Sequence, residues 1–241
     1  MSILAISLDL DDTLWPVAPA ISAAEEALDA WLRRHHAEVA RRWPLQALRE
    51  LREDIAARHP HLAHDFTAQR RLTLAQAFGA CGFGDEHVEE AYEVYFAARN
   101  RVECYADAIP ALVALAARLP VVSISNGNAD LERIGLRGHF AHCISAREEG
   151  VAKPHPAIFL GACARLGIDP AHVLHVGDDP LLDVAGAQRA GLRAAWLNRS
   201  DAAPVEGVEP DLVVRDLGEL LHWLDGHAEG TDARAVPVPA G

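Results

Sequence analysis

The first feature that suggests chemistry is a run of acids, Asp9-Leu10-Asp11-Asp12-Thr13, that directly follows a short apolar segment. At a tight turn after a buried strand, successive side chains point in different directions, so two carboxylates can flank one reacting centre. An ionised Asp9 can attack phosphorus if a metal ion cancels the repulsion between the anions. Asp11 would donate a proton to the leaving oxygen and then take one from water. Alone, these acids are better explained as a turn that caps a helix.

A second group of acids follows another apolar run at residues 173–176, with Asp178 near its end and Asp183 five residues further on. Oxygen ligands at a strand end suit Mg²⁺, which takes one or two carboxylates together with water and substrate oxygens. We therefore expect Asp178 to bind Mg²⁺ directly, with Asp9 facing the same ion. Asp183 would hold a metal-bound water or orient Lys153, although an acid that faces a helix dipole is an equally simple interpretation.

Two further segments contain groups that can bind phosphate. Ser125, Asn126 and Gly127 follow an apolar run and precede a helix, so the Ser125 hydroxyl and the next two amides can surround an anion. An ordinary turn explains the same residues. Lys153 is the only lysine in the chain, which suggests that a compact ammonium is needed where a planar guanidinium would not fit. A solvated loop lysine remains the alternative.

The pattern of apolar residues predicts the elements that position these groups. Residues 16–104 have helical spacing throughout, and Ser22 with Glu25 would form a capping box at a helix start. After residue 104 helices and strands alternate, with strands expected at 3–8, 121–124, near 143, at 173–176 and at 194–197, and helices at 108–119, from 130, at 156–166 and at 181–190.

This alternation predicts an α/β fold: a Rossmann-like, doubly wound parallel sheet with an inserted all-helical cap domain. We assign residues 1–15 and 105–241 to the core and residues 16–104 to the cap, which would cover the carboxyl edge of the sheet where ligands bind. The Gly, Ala and Pro content of residues 226–241 predicts a flexible tail.

Composition excludes several classes of protein. The chain has 241 residues, half of them apolar, and a formal charge of −13, which argues against nucleic-acid and anionic-membrane partners. The four cysteines have no metal-ligand spacing, and no apolar run approaches the ~20 residues of a membrane span. We expect a soluble cytoplasmic protein, monomeric or homodimeric, that binds a small phosphorylated metabolite.

The order of the motifs resembles that of a known family. Asp9-x-Asp11-x-Thr13, Ser125-Asn126, Lys153-Pro154 and Gly177-Asp178 with Asp183 are similar to the four motifs of the haloacid dehalogenase-like superfamily, whose type-one members carry a helical cap at this position. The resemblance implies Asp9 as phosphoryl acceptor and Asp11 as acid/base with its backbone carbonyl on Mg²⁺. It also implies Thr13 as a positioning group, Ser125 and Lys153 as phosphate ligands and Asp178 as the completing metal ligand.

Within that superfamily a closer likeness points to bacterial phosphatases that act on flavin mononucleotide and on a phosphorylated ribitylaminouracil precursor of riboflavin. Ser125-Asn126-Gly127-Asn128-Ala129, His175-Val176-Gly177-Asp178-Asp179 and the cap stretch His64-Asp65-Phe66-Thr67 carry it. Arg70 and Arg71 follow that stretch and are candidates for contact with the leaving group, although solvated helix arginines are the simpler interpretation.

Three alternatives to a phosphatase share this core. A sugar phosphomutase differs mainly in how the cap controls access of water. A 2-haloacid dehalogenase is disfavoured because dehalogenases of this superfamily lack the second aspartate of the first motif, and Asp11 is present here. A non-catalytic phosphate-binding protein would usually lack one of the acids or the lysine. We expect a Mg²⁺-dependent phosphomonoesterase.

Overall fold

A single parallel sheet forms the centre of the molecule in a computed structural model that describes residues 2–228. Its six strands are β1 (Ala5–Leu8), β2 (Val121–Ser125), β3 (His142–Ser145), β4 (Val173–Gly177), β5 (Arg193–Leu197) and β6 (Leu212–Val214). They lie in the order β3-β2-β1-β4-β5-β6, and every neighbouring pair is parallel. The central strands β1, β2 and β4 are buried throughout, as their mostly apolar sequences require in a sheet covered on both faces.

Helices cover both faces of this sheet. The core helices are α6 (Ala108–Ala116), α7 (Leu131–Ile134), α8 (Ala146–Glu149), α9 (Pro156–Leu166), α10 (Ala185–Arg189) and α11 (Leu217–Ala228). Leu112 of α6 and Leu220 of α11 share one hydrophobic cluster with β1, whereas Phe159 of α9 belongs to the cluster on the opposite face. The predicted doubly wound α/β fold is confirmed.

Five helices lie between β1 and the core helix α6 in the chain: α1 (Val17–His35), α2 (Ala37–Arg42), α3 (Leu45–Arg58), α4 (Phe66–Gly79) and α5 (Val88–Arg99). They have a hydrophobic core of their own, in which Leu28, Leu32, Phe78 and Tyr92 are buried. We call these helices the helical cap. The insertion of a helical cap into an α/β core is as predicted, while the boundaries at residues 15/16 and 104/105 stay a prediction.

The first cap helix begins differently from the prediction. Helix α1 starts at Val17, so Ser22 lies inside it, and the capping box of Ser22 and Glu25 is wrong as a helix start. Instead, the Asp12 carboxylate accepts the Val17 amide at 2.9 Å, while the Asp12 backbone takes a left-handed conformation with φ 57°. Aspartate tolerates this conformation better than most residues. Asp12 thus has the turn-and-cap role that the acidic run alone suggested.

The last part of the described chain contains two elements that were not predicted. Strand β6 pairs in parallel with β5 at the edge of the sheet, and α11 follows it. Because α11 runs to Ala228, the flexible tail does not begin at Gly226 as expected. The remainder of that predicted tail, residues 229–241, lies outside the described residues. Within residues 2–228, no helix combines the length and apolar character needed to cross a membrane.

Candidate active site

The predicted chemical groups lie at the carboxyl ends of the three central strands. Asp9 follows β1, Ser125 ends β2, and Asp178 follows β4. Strand β1 has β2 on one side and β4 on the other, so the chain order of the strands changes direction at this point. Such a switch point opens a crevice at the sheet edge, where α/β proteins bind ligands.

Lys153 stands at the centre of the site. Its Nζ contacts Asp9 Oδ1 and lies 2.6 Å from Asp183 Oδ1, and all three residues are buried. Burial lowers the pKa of Lys153, but the carboxylates of Asp183 and Asp9 outweigh burial, so the pKa lies above its usual value. The ammonium therefore stays charged and links the two acids.

Asp9 occupies a position where its charge is costly. Its side chain is largely enclosed, and its amide donates to the Val176 carbonyl at 2.9 Å. Burial raises the pKa of Asp9 well above its usual value, the Lys153 ammonium opposes that rise, and the carboxylates of Asp183 and Asp178 add to it. A further cation beside Asp9 would favour the ionised form that a nucleophile requires.

Asp183 accepts hydrogen bonds from three groups, which is more than an acid that only faces a helix dipole would require. Its Oδ1 accepts from Lys153 and from His175 Nε2 at 3.0 Å, and its Oδ2 accepts the Asp179 amide at 3.1 Å. Burial favours the neutral form, but Lys153 and His175 outweigh it, so the pKa of Asp183 lies below its usual value. The Asp179 carboxylate caps the turn after β4 by accepting the Leu181 amide at 2.7 Å. Because Asp179 accepts the first amides of this turn, Asp183 Oδ1 can accept from Lys153 instead.

His175 and Ser7 form a second layer beneath the acids that sequence reasoning missed. The two residues face each other across β4 and β1, and His175 Nδ1 lies 2.9 Å from Ser7 Oγ. Burial lowers the pKa of His175, and a carboxylate only accepts hydrogen bonds, so Nε2 carries the proton toward Asp183. The Ser7 hydroxyl then donates to Nδ1. Polar residues within otherwise apolar strands were the available signal.

Asp178 has the chemistry of a metal ligand. Burial, together with the carboxylates of Asp183 and Asp12, raises its pKa to about 7. No basic side chain of the described residues pairs with it, and its closest side-chain partner is the Thr13 hydroxyl at 3.5 Å. One carboxylate oxygen each of Asp9, Asp178 and Asp183 lies within 4.8 Å of the others. Such an all-oxygen set with excess negative charge fits Mg²⁺.

The predicted phosphate loop is ordered by its own hydrogen bonds. Ser125 Oγ accepts the Gly127 amide at 2.9 Å, and Asn126 exchanges two hydrogen bonds with the backbone of Lys153, at 2.7 and 2.9 Å. The Asn126 side chain therefore positions Lys153 and leaves only its amide for a ligand. Glycine at position 127 lets the loop approach Asp11 closely, because a Cβ there would overlap Asp11 Oδ2, which would have to move, and would lie 3.2 Å from Ser125 Oγ.

The Asp11 carboxylate is not part of the cluster formed by the other three predicted metal ligands, Asp9, Asp178 and Asp183. Its Oδ1 accepts from Trp15 Nε1 at 2.8 Å and from Arg99 Nη2 at 2.6 Å, and Arg99 also reaches Oδ2 at 2.7 Å. Arg99 ends helix α5, so this ion pair joins the cap to the core. Only the Asp11 backbone carbonyl, as the family resemblance implies, would be offered to Mg²⁺.

The two predicted cap arginines have different surroundings. Arg70 is buried, stacks on the Tyr95 ring at 4.0 Å and lies 3.7 Å from Glu25 Oε1, so it is not a solvated helix arginine. It lines a cavity of about 410 Å³ that also reaches Asp11. Arg71 pairs with Glu89 at 2.8 Å near the surface and is not among the residues that line this cavity.

Comparisons with known proteins identify the family of this chain. Residues 3–191 match the family described as haloacid dehalogenase-like hydrolase. The chain is 32% identical over 199 residues to the 5-amino-6-(5-phospho-D-ribitylamino)uracil phosphatase YigB of Escherichia coli (strain K12), covering 81% of this chain and 83% of YigB. A phosphoserine phosphatase of Thermus thermophilus is 35% identical over 159 residues, covering 63% and 64% of the two chains.

Among solved structures, the chain is similar to one described as 2-haloacid dehalogenase from Pseudomonas syringae pv. Tomato DC3000. The TM-score is 0.87 at 37% identity, and the match covers 93% of this chain and 99% of the other. The similarity therefore extends over the core and the cap together. The sequence relatives and this structure carry names for two different reactions, phosphate-ester hydrolysis and dehalogenation.

Proposed function

Because the chain belongs to the haloacid dehalogenase-like hydrolases, we propose that this enzyme is a Mg²⁺-dependent phosphomonoesterase in which Asp9 becomes phosphorylated. The observation that carries the proposal is the buried contact of Lys153 with both Asp9 and Asp183, beside Asp178. A lysine there attracts an anionic phosphoryl group, and the neighbouring acids suit a divalent cation. The substrate would be a small phosphorylated metabolite.

The two steps assign separate tasks to Asp9 and Asp11. In the first, an Asp9 oxygen attacks phosphorus, the ester P–O bond breaks, and Asp11 gives its proton to the leaving oxygen. In the second, Asp11 takes a proton from water, the water oxygen attacks phosphorus, and the bond to Asp9 breaks, which releases inorganic phosphate. In the first step, Asp11 must give up its contact with Arg99 and contact the leaving oxygen instead.

Asp9, Asp178 and the backbone carbonyl of Asp11 would hold Mg²⁺, with Asp183 nearby. When bound, the ion supplies positive charge between the carboxylates and the phosphoryl oxygens. Lys153 then keeps Asp9 oriented, while the Ser125 hydroxyl and the Asn126 amide bind the remaining phosphoryl oxygens. Thr13, buried beside Asp178, positions that carboxylate.

Flavin mononucleotide and the phosphorylated ribitylaminouracil precursor of riboflavin are the candidate substrates that we propose to test first. The similarity to YigB, which extends over 81% of this chain, supports them. The cavity beside Asp11 has a volume of about 410 Å³, within the range of ~300–1,000 Å³ that is usual for small-molecule sites.

A 2-haloacid dehalogenase is the second candidate, because the similar structure from Pseudomonas syringae is described as one. Hydrolysis of a carbon–halogen bond needs neither a proton donor for a phosphate leaving group nor a cluster of three carboxylates. The presence of Asp11 two positions after Asp9, and the lack of a basic partner for Asp178 in the described chain, therefore favour phosphoryl chemistry.

One panel of substrates separates these functions. The purified enzyme is given flavin mononucleotide, ribose 5-phosphate, phosphoserine and a 2-haloacid, each with Mg²⁺ and with EDTA, while phosphate and halide release are measured. We expect phosphate release that needs Mg²⁺. Halide release that persists in EDTA would overturn the proposal, and interconversion of sugar phosphates without free phosphate would identify a mutase.

A further inference from the structure

The chain passes between core and cap twice, and one core arginine contacts both crossings. The first crossing, residues 9–16, leads from β1 to α1, and the second, residues 100–107, leads from α5 to α6. Arg199 follows β5, which lies two strands from β1 in the sheet. Its guanidinium donates to the Thr13 carbonyl in the first crossing and to the Asp107 carboxylate in the second. Arg199 therefore links both crossings to the sheet.

All three nitrogens of this guanidinium have partners. Nη1 and Nη2 donate to the two Asp107 oxygens at 3.0 and 2.9 Å, and Nη2 and Nε donate to the Thr13 carbonyl at 2.9 and 3.3 Å. The Tyr105 ring stacks on the guanidinium at 4.0 Å, and Asp107 also accepts the Leu217 amide at 2.8 Å. Burial raises the pKa of Asp107, but these hydrogen bonds outweigh burial and hold it below its usual value. A two-pronged pair of this kind fixes the direction of the guanidinium as well as its charge.

The Thr13 carbonyl belongs to the turn that carries Asp11. The Asp12 amide donates to the Trp15 carbonyl at 2.7 Å, and the Trp15 indole donates to Asp11 Oδ1 at 2.8 Å. Thr13 and Trp15 are completely buried, so the turn has little room to shift while these contacts persist. Because its own hydrogen bonds make the turn one unit, movement of the Thr13 carbonyl would displace Asp11 as well.

The position of Asp11 matters most when it protonates the leaving oxygen. Proton transfer requires the acid to lie within hydrogen-bond reach of that oxygen, and a misplacement of about 1 Å can lower a rate about 100-fold. The contacts of Arg199 are with Thr13, Asp107 and Tyr105, and do not include the proposed nucleophile Asp9. An effect of Arg199 on Asp11 can therefore be measured separately from the attack on phosphorus.

We propose that Arg199 is a positioning residue for acid catalysis: by holding the Thr13 carbonyl and Asp107 together, it sets where the Asp11 carboxyl stands relative to the leaving oxygen. This inference rests on the proposed phosphomonoesterase function, with Asp11 as the proton donor. Loss of Arg199 should therefore slow an ester most when its leaving group needs a proton in order to depart. An ester of a strongly acidic phenol, which departs readily as an anion, should be affected least.

The test compares two phosphate esters with matched protein variants. Phenyl phosphate and p-nitrophenyl phosphate differ by one nitro group, but phenol is a much weaker acid than p-nitrophenol and so needs the proton more. Both are assayed with the wild type, Arg199→Gln and Arg199→Lys. Arg165→Gln and Arg165→Lys are the controls, because Arg165 is an exposed core arginine paired with Glu149. Melting temperatures check that each variant folds, and the assays are run well below the lowest of them.

The measured quantity is the ratio of kcat/KM for phenyl phosphate to kcat/KM for p-nitrophenyl phosphate. A general loosening of the site, or a change in Mg²⁺ or phosphate binding, lowers both values and cancels in this ratio. We expect Arg199→Gln to lower the ratio about 10- to 100-fold and the Arg165 variants to leave it unchanged. Arg199→Lys keeps the charge but loses the planar fork, so it should lower the ratio at least about 3-fold, and it provides the result if Arg199→Gln does not fold.

A double variant shows whether Arg199 acts through Asp11. Asp11→Asn has no proton to donate, so it should lower the ratio by itself. If Arg199 only positions the Asp11 carboxyl, Arg199→Gln should lower the ratio no further in the Asp11→Asn background, because two residues that act as one unit are not additive.

Three results would overturn the inference. An unchanged ratio in the folded Arg199 variants would mean that Arg199 only stabilises the fold. A further fall of the ratio in the Asp11→Asn background would mean that Arg199 acts through another group. A wild-type ratio in Asp11→Asn would remove Asp11 as the proton donor, and the inference with it. Absence of phosphate release from both esters by the wild type, by contrast, would contradict the proposed phosphomonoesterase function itself.

Discussion

Replacement of Lys153 by methionine removes the cation that neutralises two buried carboxylates, Asp9 and Asp183. Met has a similar length but no charge, so Asp9 and Asp183, 7% and 1% exposed, would face each other unpaired. Removal of one partner from a buried ion pair costs about 3–5 kcal/mol. We therefore expect Lys153→Met to lower the free energy of unfolding by about that amount at pH 8 when EDTA keeps divalent cations away.

The loss of stability should depend on pH. Loss of Lys153 removes the charge that opposes burial at Asp9, so the pKa of Asp9 rises further. The same loss removes the main cause that holds the pKa of Asp183 below its usual value. A carboxyl whose folded-state pKa is raised stabilises the fold at pH below its unfolded pKa of ~3.9, and this contribution is lost as pH rises through the folded pKa. The deficit of Lys153→Met should therefore be at least about 1 kcal/mol smaller at pH 5 than at pH 8.

Urea denaturation at pH 5 and pH 8, followed by circular dichroism, measures both quantities. Lys153→Arg, which keeps the charge, should lose less stability than Lys153→Met while still losing activity, because a planar guanidinium does not fit between the two acids. Arg118→Met, which breaks an exposed ion pair with Asp225, controls for loss of a surface charge. A deficit of Lys153→Met below about 1 kcal/mol, or one that is equal at the two pH values, would refute this account of the ion pair.

Further predictions concern the neighbours of these acids. Gly127→Ala should lower kcat at least about 100-fold, because the added Cβ displaces Asp11; kcat within a few-fold of the wild type would contradict this. Since the pKa of Asp178 is about 7, Mg²⁺ affinity measured by calorimetry should fall up to tenfold per pH unit below pH 7, and an affinity independent of pH would argue against Asp178 as a ligand. His175→Gln should weaken Mg²⁺ binding about 10-fold by releasing Asp183, and unchanged binding would show that His175 is dispensable.

The parts of the site that follow strand ends could be predicted from the sequence. Parallel strands bring their carboxyl ends to one edge, so acids placed directly after two apolar runs had to lie near each other if the strands were neighbours. The structure pairs β1 with β4 and brings Asp9 to Asp178 accordingly. The fold class could also be predicted, because the spacing of apolar residues that distinguishes a helix from a strand is visible within each short segment of the sequence.

Contacts that depend on the cap could not be predicted in this way. Arg99 and Asp11 are separated by 88 positions in the chain, and nothing in the local sequence of α5 distinguishes Arg99 from a solvated helix arginine. The start of α1 was misplaced because the left-handed conformation of Asp12 has no strong local signal. Helix α11, by contrast, had a visible signal, since Leu217, Leu220, Leu221 and Leu224 follow a helical period.

The most direct test of the account is the loss of the nucleophile. Asp9→Asn keeps the shape of the side chain, so it should fold, and Asp54→Asn on the exposed face of the cap provides the matched control. Release of p-nitrophenol from p-nitrophenyl phosphate is measured with Mg²⁺ and with EDTA. We expect Mg²⁺-dependent release by the wild type and by Asp54→Asn, and none by Asp9→Asn; turnover by Asp9→Asn at the wild-type rate would contradict the assignment of Asp9 as the phosphoryl acceptor.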